Sequence, residues 1–70
     1  MPESVYKVIE LVGSSPESWE KAVAAAVKLA AREAHDLRIA EIVQQDVHIG
    51  KDGSIEAYRA KIRVSFKHEG

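Results

Sequence analysis

Four basic side chains lie on one face of the last predicted strand, and together they could bind an anion. The strand covers residues 54–67, and alternate side chains of a strand point to the same face. The residues of this basic row are Arg59, Lys61, Arg63 and Lys67. Guanidinium and ammonium groups bind phosphate well, so a nucleotide or coenzyme phosphate is one ligand that the row could take. Arg63 and Lys67 are the candidate contacts.

The same basic row could instead pair with acidic side chains on neighbouring strands. Glu41 and Asp46 are the candidate partners, because cross-strand pairs of opposite charge stabilise a sheet. We favour this structural interpretation of the row, and the anion site remains the alternative.

Hard oxygen ligands for a metal ion are present, but they are scattered along the chain. Glu10, Glu41 and Asp46 could bind calcium if the symmetry of an assembly gathered them, because calcium takes about six to eight oxygens. The histidines are His35, His48 and His68. They lack the i, i+4 spacing typical of a metal site on a helix, so we expect them at the surface or at interfaces.

No group of residues typical of catalysis is evident. The sequence has no nucleophile–base pair, no glycine-rich phosphate loop and no paired carboxylates of the kind that perform acid–base chemistry. It also has no cysteine, which excludes cysteine nucleophiles, thiolate zinc sites and disulfides. We therefore expect no enzymatic activity.

The length and charge of the chain predict one small domain that needs support from other subunits. Seventy residues with a formal net charge of −1 form a single domain over residues 1–70, and such a core rarely supplies more than about 3–5 kcal/mol. Without disulfides, oligomerisation is the expected support. The low charge favours neither nucleic acid nor acidic lipid. The absence of a signal peptide and of an apolar run of about 20 residues predicts a cytoplasmic protein without membrane contact.

The first two predicted elements are a strand over residues 4–12 and a helix that ends near His35. Ser15 fits the N-cap of the helix, and Pro16 fits its first position. The helix has one apolar stripe of small and branched residues. Trp19 begins that stripe, which predicts a core or interface anchor rather than an exposed ring platform for a ligand.

The second half of the chain predicts a hairpin. Strands over residues 38–49 and 54–67 flank the turn at residues 50–53, whose Asp-Gly pair tolerates positive φ. The order strand, helix, strand, strand gives an α+β fold in which one helix covers one sheet face. Tyr6, Val8 and Val12 make the other face of the first strand apolar, so we expect other subunits to cover that face.

Two segments resemble the dodecins, small proteins that assemble as hollow shells of twelve subunits and usually bind flavins. The first is VYKVIELVGSSPESWEKAV, and the second is YRAKIRVSFK. The resemblance implies a β-α-β-β fold, with a three-stranded antiparallel sheet wrapped around one long helix, and a homododecamer.

The resemblance also implies that the flavin site is altered. Flavin-binding dodecins stack the ring on a tryptophan, with an arginine later in the same strand and a glutamine in the next strand. Those positions fall here on Ile39, Asp46 and Arg59, and Ala40 would also line the vestigial pocket. Lys67 matches a basic position that contacts phosphate-bearing ligands in some members. Weak or absent binding of riboflavin or FMN follows from this comparison.

Three short segments, two of them within those just quoted, resemble a branch described as calcium dodecins. They are SWE at residues 18–20, DLRIA at 36–40 and VSFK at 64–67. This resemblance implies the same shell without identifying calcium ligands. The sequence thus predicts a non-enzymatic shell that binds, stores or buffers a small ligand. The alternatives are a flavin storage protein with a platform other than tryptophan, and a structural or calcium-binding assembly.

Overall fold

One helix lies against a three-stranded antiparallel sheet in the computed structural model, which describes residues 3–68. The elements in chain order are β1 (Val5–Ser15), α1 (Trp19–Glu33), β2 (Leu37–Ile49) and β3 (Ile55–His68). This order confirms the predicted β-α-β-β fold. No helix in residues 3–68 has the length and apolar character that a membrane crossing requires.

The last strand is the centre of the sheet, whose order is β1-β3-β2. Both neighbours are antiparallel to β3. The even-numbered side chains of β3 point towards the helix, and Ala60, Ile62 and Val64 are buried there. The odd-numbered side chains carry the basic row on the opposite face, which we call the outer face. The alternation of β3 in the sequence therefore predicts its two faces correctly.

The core is thin because most of its side chains are small. Three alanines of α1 spaced by four residues, Ala22, Ala26 and Ala30, are buried, and Ala26 and Ala30 pack with Ile62 and Val64. Gly13 of β1 lies directly beneath the helix, where a Cβ atom would overlap the backbone carbonyl of Ala22. Small residues on both sides let the helix and sheet approach closely, and they also limit the apolar area that one subunit buries.

The start of the helix differs from the prediction. Ser18, not Ser15, is the N-cap: its backbone is extended, and its hydroxyl accepts a hydrogen bond from the amide of Lys21 at 3.1 Å. The Ser15 hydroxyl instead accepts from the amide of Glu17 at 3.0 Å and closes the turn before the helix. Pro16 consequently precedes the helix rather than occupying its first position.

Two predicted boundaries were also wrong. Strand β1 continues past residue 12 to Ser15, because β3 extends alongside it and pairs Ser15 with Tyr58. The helix ends at Glu33 rather than near His35, since Ala34 adopts an extended backbone. Asp36, with a φ of 58°, then turns the chain into β2.

Candidate functional site

The outer face of the sheet brings the basic row together with carboxylates from both neighbouring strands. At one end of the row, Arg59 pairs with Asp46 of β2 through two hydrogen bonds. Its Nε lies 2.7 Å from Oδ1 and its Nη2 lies 2.9 Å from Oδ2. The two residues are directly opposite in the β2–β3 register. This bidentate geometry is typical of a guanidinium and a carboxylate. Two of the nitrogens of Arg59 are therefore occupied by Asp46.

A second carboxylate, Glu10 of β1, lies at the centre of the row. The Nε and Nη2 atoms of Arg63 donate to its Oε2 at 3.1 and 2.9 Å, and Lys61 Nζ lies 3.8 Å from its Oε1. Glu41 of β2 approaches Arg63 Nη1 at 3.8 Å. Of the two partners expected for the row, Asp46 makes the close contact and Glu41 the longer one. Glu10 was considered only as an oxygen ligand for calcium.

These contacts hold the carboxylates in their charged form. The hydrogen bond from Arg63, helped by the charge of Lys61, holds the pKa of Glu10 below its usual range. The hydrogen bond from Arg59 likewise lowers the pKa of Asp46, and the same contact raises the pKa of Arg59. Near neutral pH, Arg59 and Arg63 therefore face ionised carboxylates of their own subunit.

Lys67 lies at the far end of the row, next to β1. It is opposite Tyr6 in the register, and its backbone amide donates to the carbonyl of Asp36 at 3.3 Å. Within residues 3–68, its ammonium group forms no ion pair. A phosphate group arriving at this end of the outer face would meet Lys67 and the exposed ring of Tyr6.

The four residues proposed for the vestigial flavin pocket form two separate groups in one subunit. Ile39 and Ala40 line a shallow cavity of about 220 Å³ between the helix and the start of β2. Asp46 and its partner Arg59 lie about six to seven residues from Ile39, measured along the paired strands β2 and β3. That separation corresponds to about 20 Å. A pocket that used all four would therefore need surfaces from more than one subunit.

Trp19 is a packing residue within the subunit. Its indole N–H donates to the backbone carbonyl of Asp46 at 3.0 Å, and its ring meets Tyr58 edge-on with centroids 5.0 Å apart. These contacts support the anchor interpretation, because they hold the indole against β2 and β3 of its own subunit.

The described residues bring together no group of three or more histidine, aspartate or glutamate side chains that could hold a metal ion. His48 lies beside Glu56, with 3.5 Å between Nε2 and Oε1, and His35 is exposed. The side chain of His68 lies outside the described part of the structure. The candidate oxygen ligands Glu10 and Asp46 are already engaged with arginines.

Comparisons with known proteins identify the family. The family model named Dodecin matches residues 5–69. Calcium dodecin of Mycobacterium tuberculosis (strain ATCC 25618 / H37Rv) is 48% identical over 64 residues, which cover 91% of this chain and 89% of that protein. The crystal structure of a calcium-chelating antigen, the calcium dodecin of that species, superposes with a TM-score of 0.83 at 47% identity over 94% of this chain and 93% of that one. Dodecin from Streptomyces coelicolor superposes with a TM-score of 0.92 at 30% identity over 100% of this chain and 99% of that one. The chain belongs to the dodecin family.

Proposed function

We propose that the chain forms a closed homododecameric shell that binds and buffers a small ligand without catalysing a reaction. The observation that carries this proposal is a set of exposed apolar side chains on the outer face, on the two strands that flank the basic row. Tyr6, Val8, Val12 and Ile39 are each more than half exposed there, although the core behind the sheet is thin. A single subunit would leave this apolar surface in water, and burial between subunits supplies the stability that the small core lacks. Membership of the dodecin family supports the same assembly.

The proposed shell has a weakened flavin site. Ile39 offers no aromatic ring, and base–aromatic stacking contributes about 1–3 kcal/mol per ring in comparable sites. The other two departures from the flavin-binding pattern compensate each other, since Asp46 and Arg59 form a bidentate pair. Arg59 therefore neutralises the charge of Asp46, and neither side chain is available to a flavin without breaking that pair.

Titration of flavin fluorescence tests the ligand part of the proposal. We expect riboflavin to bind about 10-fold or more weakly than to a dodecin with the stacking tryptophan, which corresponds to the loss of one ring platform. Ile39→Trp should recover only part of the affinity, because Asp46 and Arg59 remain paired. Submicromolar binding by the unmodified protein would contradict the proposal and show that another platform has replaced the tryptophan.

The same titration, repeated with FMN, tests the phosphate contact proposed for Lys67 and Arg63. Because Arg63 is held by Glu10, Lys67 is the residue to replace. If Lys67 contacts phosphate, Lys67→Ala weakens FMN but not riboflavin, and added salt has the same effect on the unmodified protein. If the two flavins bind equally well to the unmodified protein and to Lys67→Ala, at low and at high salt, the phosphate site is excluded. Lys67 would then be a structural charge only.

A second candidate is calcium binding at subunit interfaces. A relative 48% identical to this chain is named calcium dodecin, and the crystal structure from that species is described with a novel calcium-binding site. In this chain, Glu41 is the acidic residue of the outer face that is held most loosely, with its side chain 62% exposed. Calcium requires about six to eight oxygens, so this candidate needs carboxylates of several subunits.

Thermal melting with and without calcium distinguishes this candidate. Calcium at 100 times its dissociation constant would stabilise the assembly by about 2.7 kcal/mol per site. Magnesium at the same concentration is the control for non-specific screening of surface charges by a divalent cation. We expect Glu41→Gln to reduce the calcium shift and Glu17→Gln, which alters an exposed carboxylate paired with Lys21 on the helix, to leave it unchanged. A melting temperature that does not respond to calcium would exclude the candidate.

A further inference from the structure

The turn between β2 and β3 contains the aspartate whose peptide bond is most open to spontaneous rearrangement. Asp52 precedes Gly53, whereas the other two aspartates of the chain precede Leu37 and Val47, and the chain has no asparagine. Glycine has no side chain to obstruct its own amide nitrogen, so that nitrogen can attack the preceding aspartate side chain. Asp52 and Gly53 are also exposed. The Asp52-Gly53 bond is therefore the expected site of isoaspartate formation.

The rearrangement forms a bond between the backbone nitrogen of Gly53 and Cγ of Asp52. The carboxyl group reacts in its protonated form, and its hydroxyl leaves with the amide proton as one molecule of water. The product is a five-membered succinimide ring. Water then opens the ring at either of two carbonyls. Attack at Cγ regenerates aspartate, and attack at the main-chain carbonyl leaves isoaspartate, in which the main chain runs through Cγ.

Both groups that would react are held by hydrogen bonds within the turn. Oδ1 of Asp52 accepts from the hydroxyl of Ser54 at 2.6 Å and from the amide of Ser54 at 3.0 Å. The amide of Gly53 donates to the carbonyl of Gly50 at 3.0 Å. Protonation of Asp52 would weaken its bonds with Ser54, since a neutral carboxyl group is a poorer acceptor than a carboxylate. Closure of the ring would then remove the proton that Gly53 donates.

The contacts with Ser54 also keep the carboxyl group of Asp52 ionised. The hydrogen bond from the Ser54 hydroxyl, together with that from its amide, holds the pKa of Asp52 below its usual range. A carboxylate has no hydroxyl to lose as water, so the ionised form is the unreactive one. Ser54 therefore lowers the fraction of Asp52 that can enter the reaction.

We propose that Ser54 protects the Asp52-Gly53 bond against conversion to isoaspartate. The conversion would add one carbon atom to the main chain of a turn whose two ends are paired, with 2.8 Å between the amide nitrogen of Gly50 and the carbonyl oxygen of Ser54. The longer main chain does not fit this spacing, so the modification would open the end of the β2–β3 hairpin. The protection acts within one subunit and requires neither the shell nor its ligand.

Prolonged incubation at mildly acidic pH tests the proposal. Peptide mapping by mass spectrometry measures the product, because an isoaspartyl peptide separates chromatographically from the aspartyl peptide of equal mass. We expect Ser54→Ala to accumulate isoaspartate about 5-fold or more faster than the unmodified protein, the effect of losing one hydrogen bond to a charged group. Ser54→Thr retains the hydroxyl and should restore the slow rate. The matched control is Ser14→Ala, which removes the hydroxyl of an exposed serine in β1.

A comparison without any variant makes the result independent of how Ser54→Ala folds. The unmodified chain unfolded in guanidinium chloride lacks the turn, so it should form isoaspartate about 5-fold or more faster than the folded protein at the same pH and temperature. The peptides with Asp36 and Asp46, which lack the following glycine, are internal references in the same digest. The proposal is overturned if the folded and unfolded chains react equally fast, if Ser54→Ala reacts no faster than the unmodified protein, or if Ser54→Thr reacts as fast as Ser54→Ala.

Discussion

Val8→Asp is expected to prevent assembly at concentrations where the unmodified chain forms a particle of about twelve times its 7.7 kDa mass. Val8 lies on the outer face, opposite Ser65 of β3, and is 51% exposed in the subunit. A carboxylate there remains hydrated in a free subunit and costs little. Buried without a partner between subunits, it would cost about 3 kcal/mol or more at each of the repeated contacts. Light scattering after size-exclusion chromatography measures the effect.

Two comparisons make this assembly prediction specific. Val8→Thr retains the branched shape of the side chain and adds no charge, so it should still assemble. Lys28→Asp places a carboxylate on the exposed side of the helix, where we expect the particle mass to be unchanged. Full mass for Val8→Asp would exclude the outer face from the interface, and a stable folded monomer of the unmodified protein would contradict the shell itself.

The sequence predicted the elements and the faces of the sheet because both depend on local periodicity. Alternation in β3 placed Ala60, Ile62 and Val64 on the buried side and the basic row on the other. The Asp52-Gly53 pair correctly located the turn between β2 and β3, where Gly53 adopts a φ of 87°. The alternation and the turn residues are patterns of residues that are close in the sequence, so they can be recognised without knowing which strands pair.

The start of the helix was misplaced because two serines three residues apart compete for the same role. Ser15 and Ser18 both precede acidic residues and both can cap a helix. The choice depends on how far β1 continues, and β1 continues to Ser15 because Tyr58 of β3 lies beside it. A tertiary pairing therefore decided a boundary that local preferences left open.

The partners in the candidate site depended on register, which the sequence alone does not supply. Glu10 was not predicted as a partner of the basic row, because only the antiparallel register places it opposite Arg63. The charge alternation on β1 and β3 would have suggested the pair once that register was assumed. Likewise, Ile39 and Asp46 share one strand, but their separation along it prevents them from lining one pocket within a subunit.

Gly13→Ala is expected to destabilise the subunit by about 3 kcal/mol or more, the upper end of the range for overpacking a core. The added Cβ would overlap the carbonyl of Ala22, and the Cβ of Ala26 lies only 3.1 Å away. The first obstacle is helix backbone, which cannot rotate aside as a side chain can. The helix must therefore move away from β1, and this movement opens the contacts of Ala26 and Ala30 with Ile62 and Val64. Because a core of this size supplies at most about 3–5 kcal/mol, the variant should melt far below the unmodified protein.

Gly53→Ala is the matched control, since it makes the same chemical change at a glycine with no atom within 4 Å of the added Cβ. Its φ of 87° is unfavourable for alanine, which costs about 1–2 kcal/mol. Both variants are compared with the unmodified protein by urea denaturation monitored by circular dichroism, at one protein concentration because assembly is linked to folding. We expect Gly13→Ala to shift the midpoint much further than Gly53→Ala. A smaller or equal shift for Gly13→Ala would show that the helix can separate from β1 at little cost, and that the thin core does not depend on their close approach.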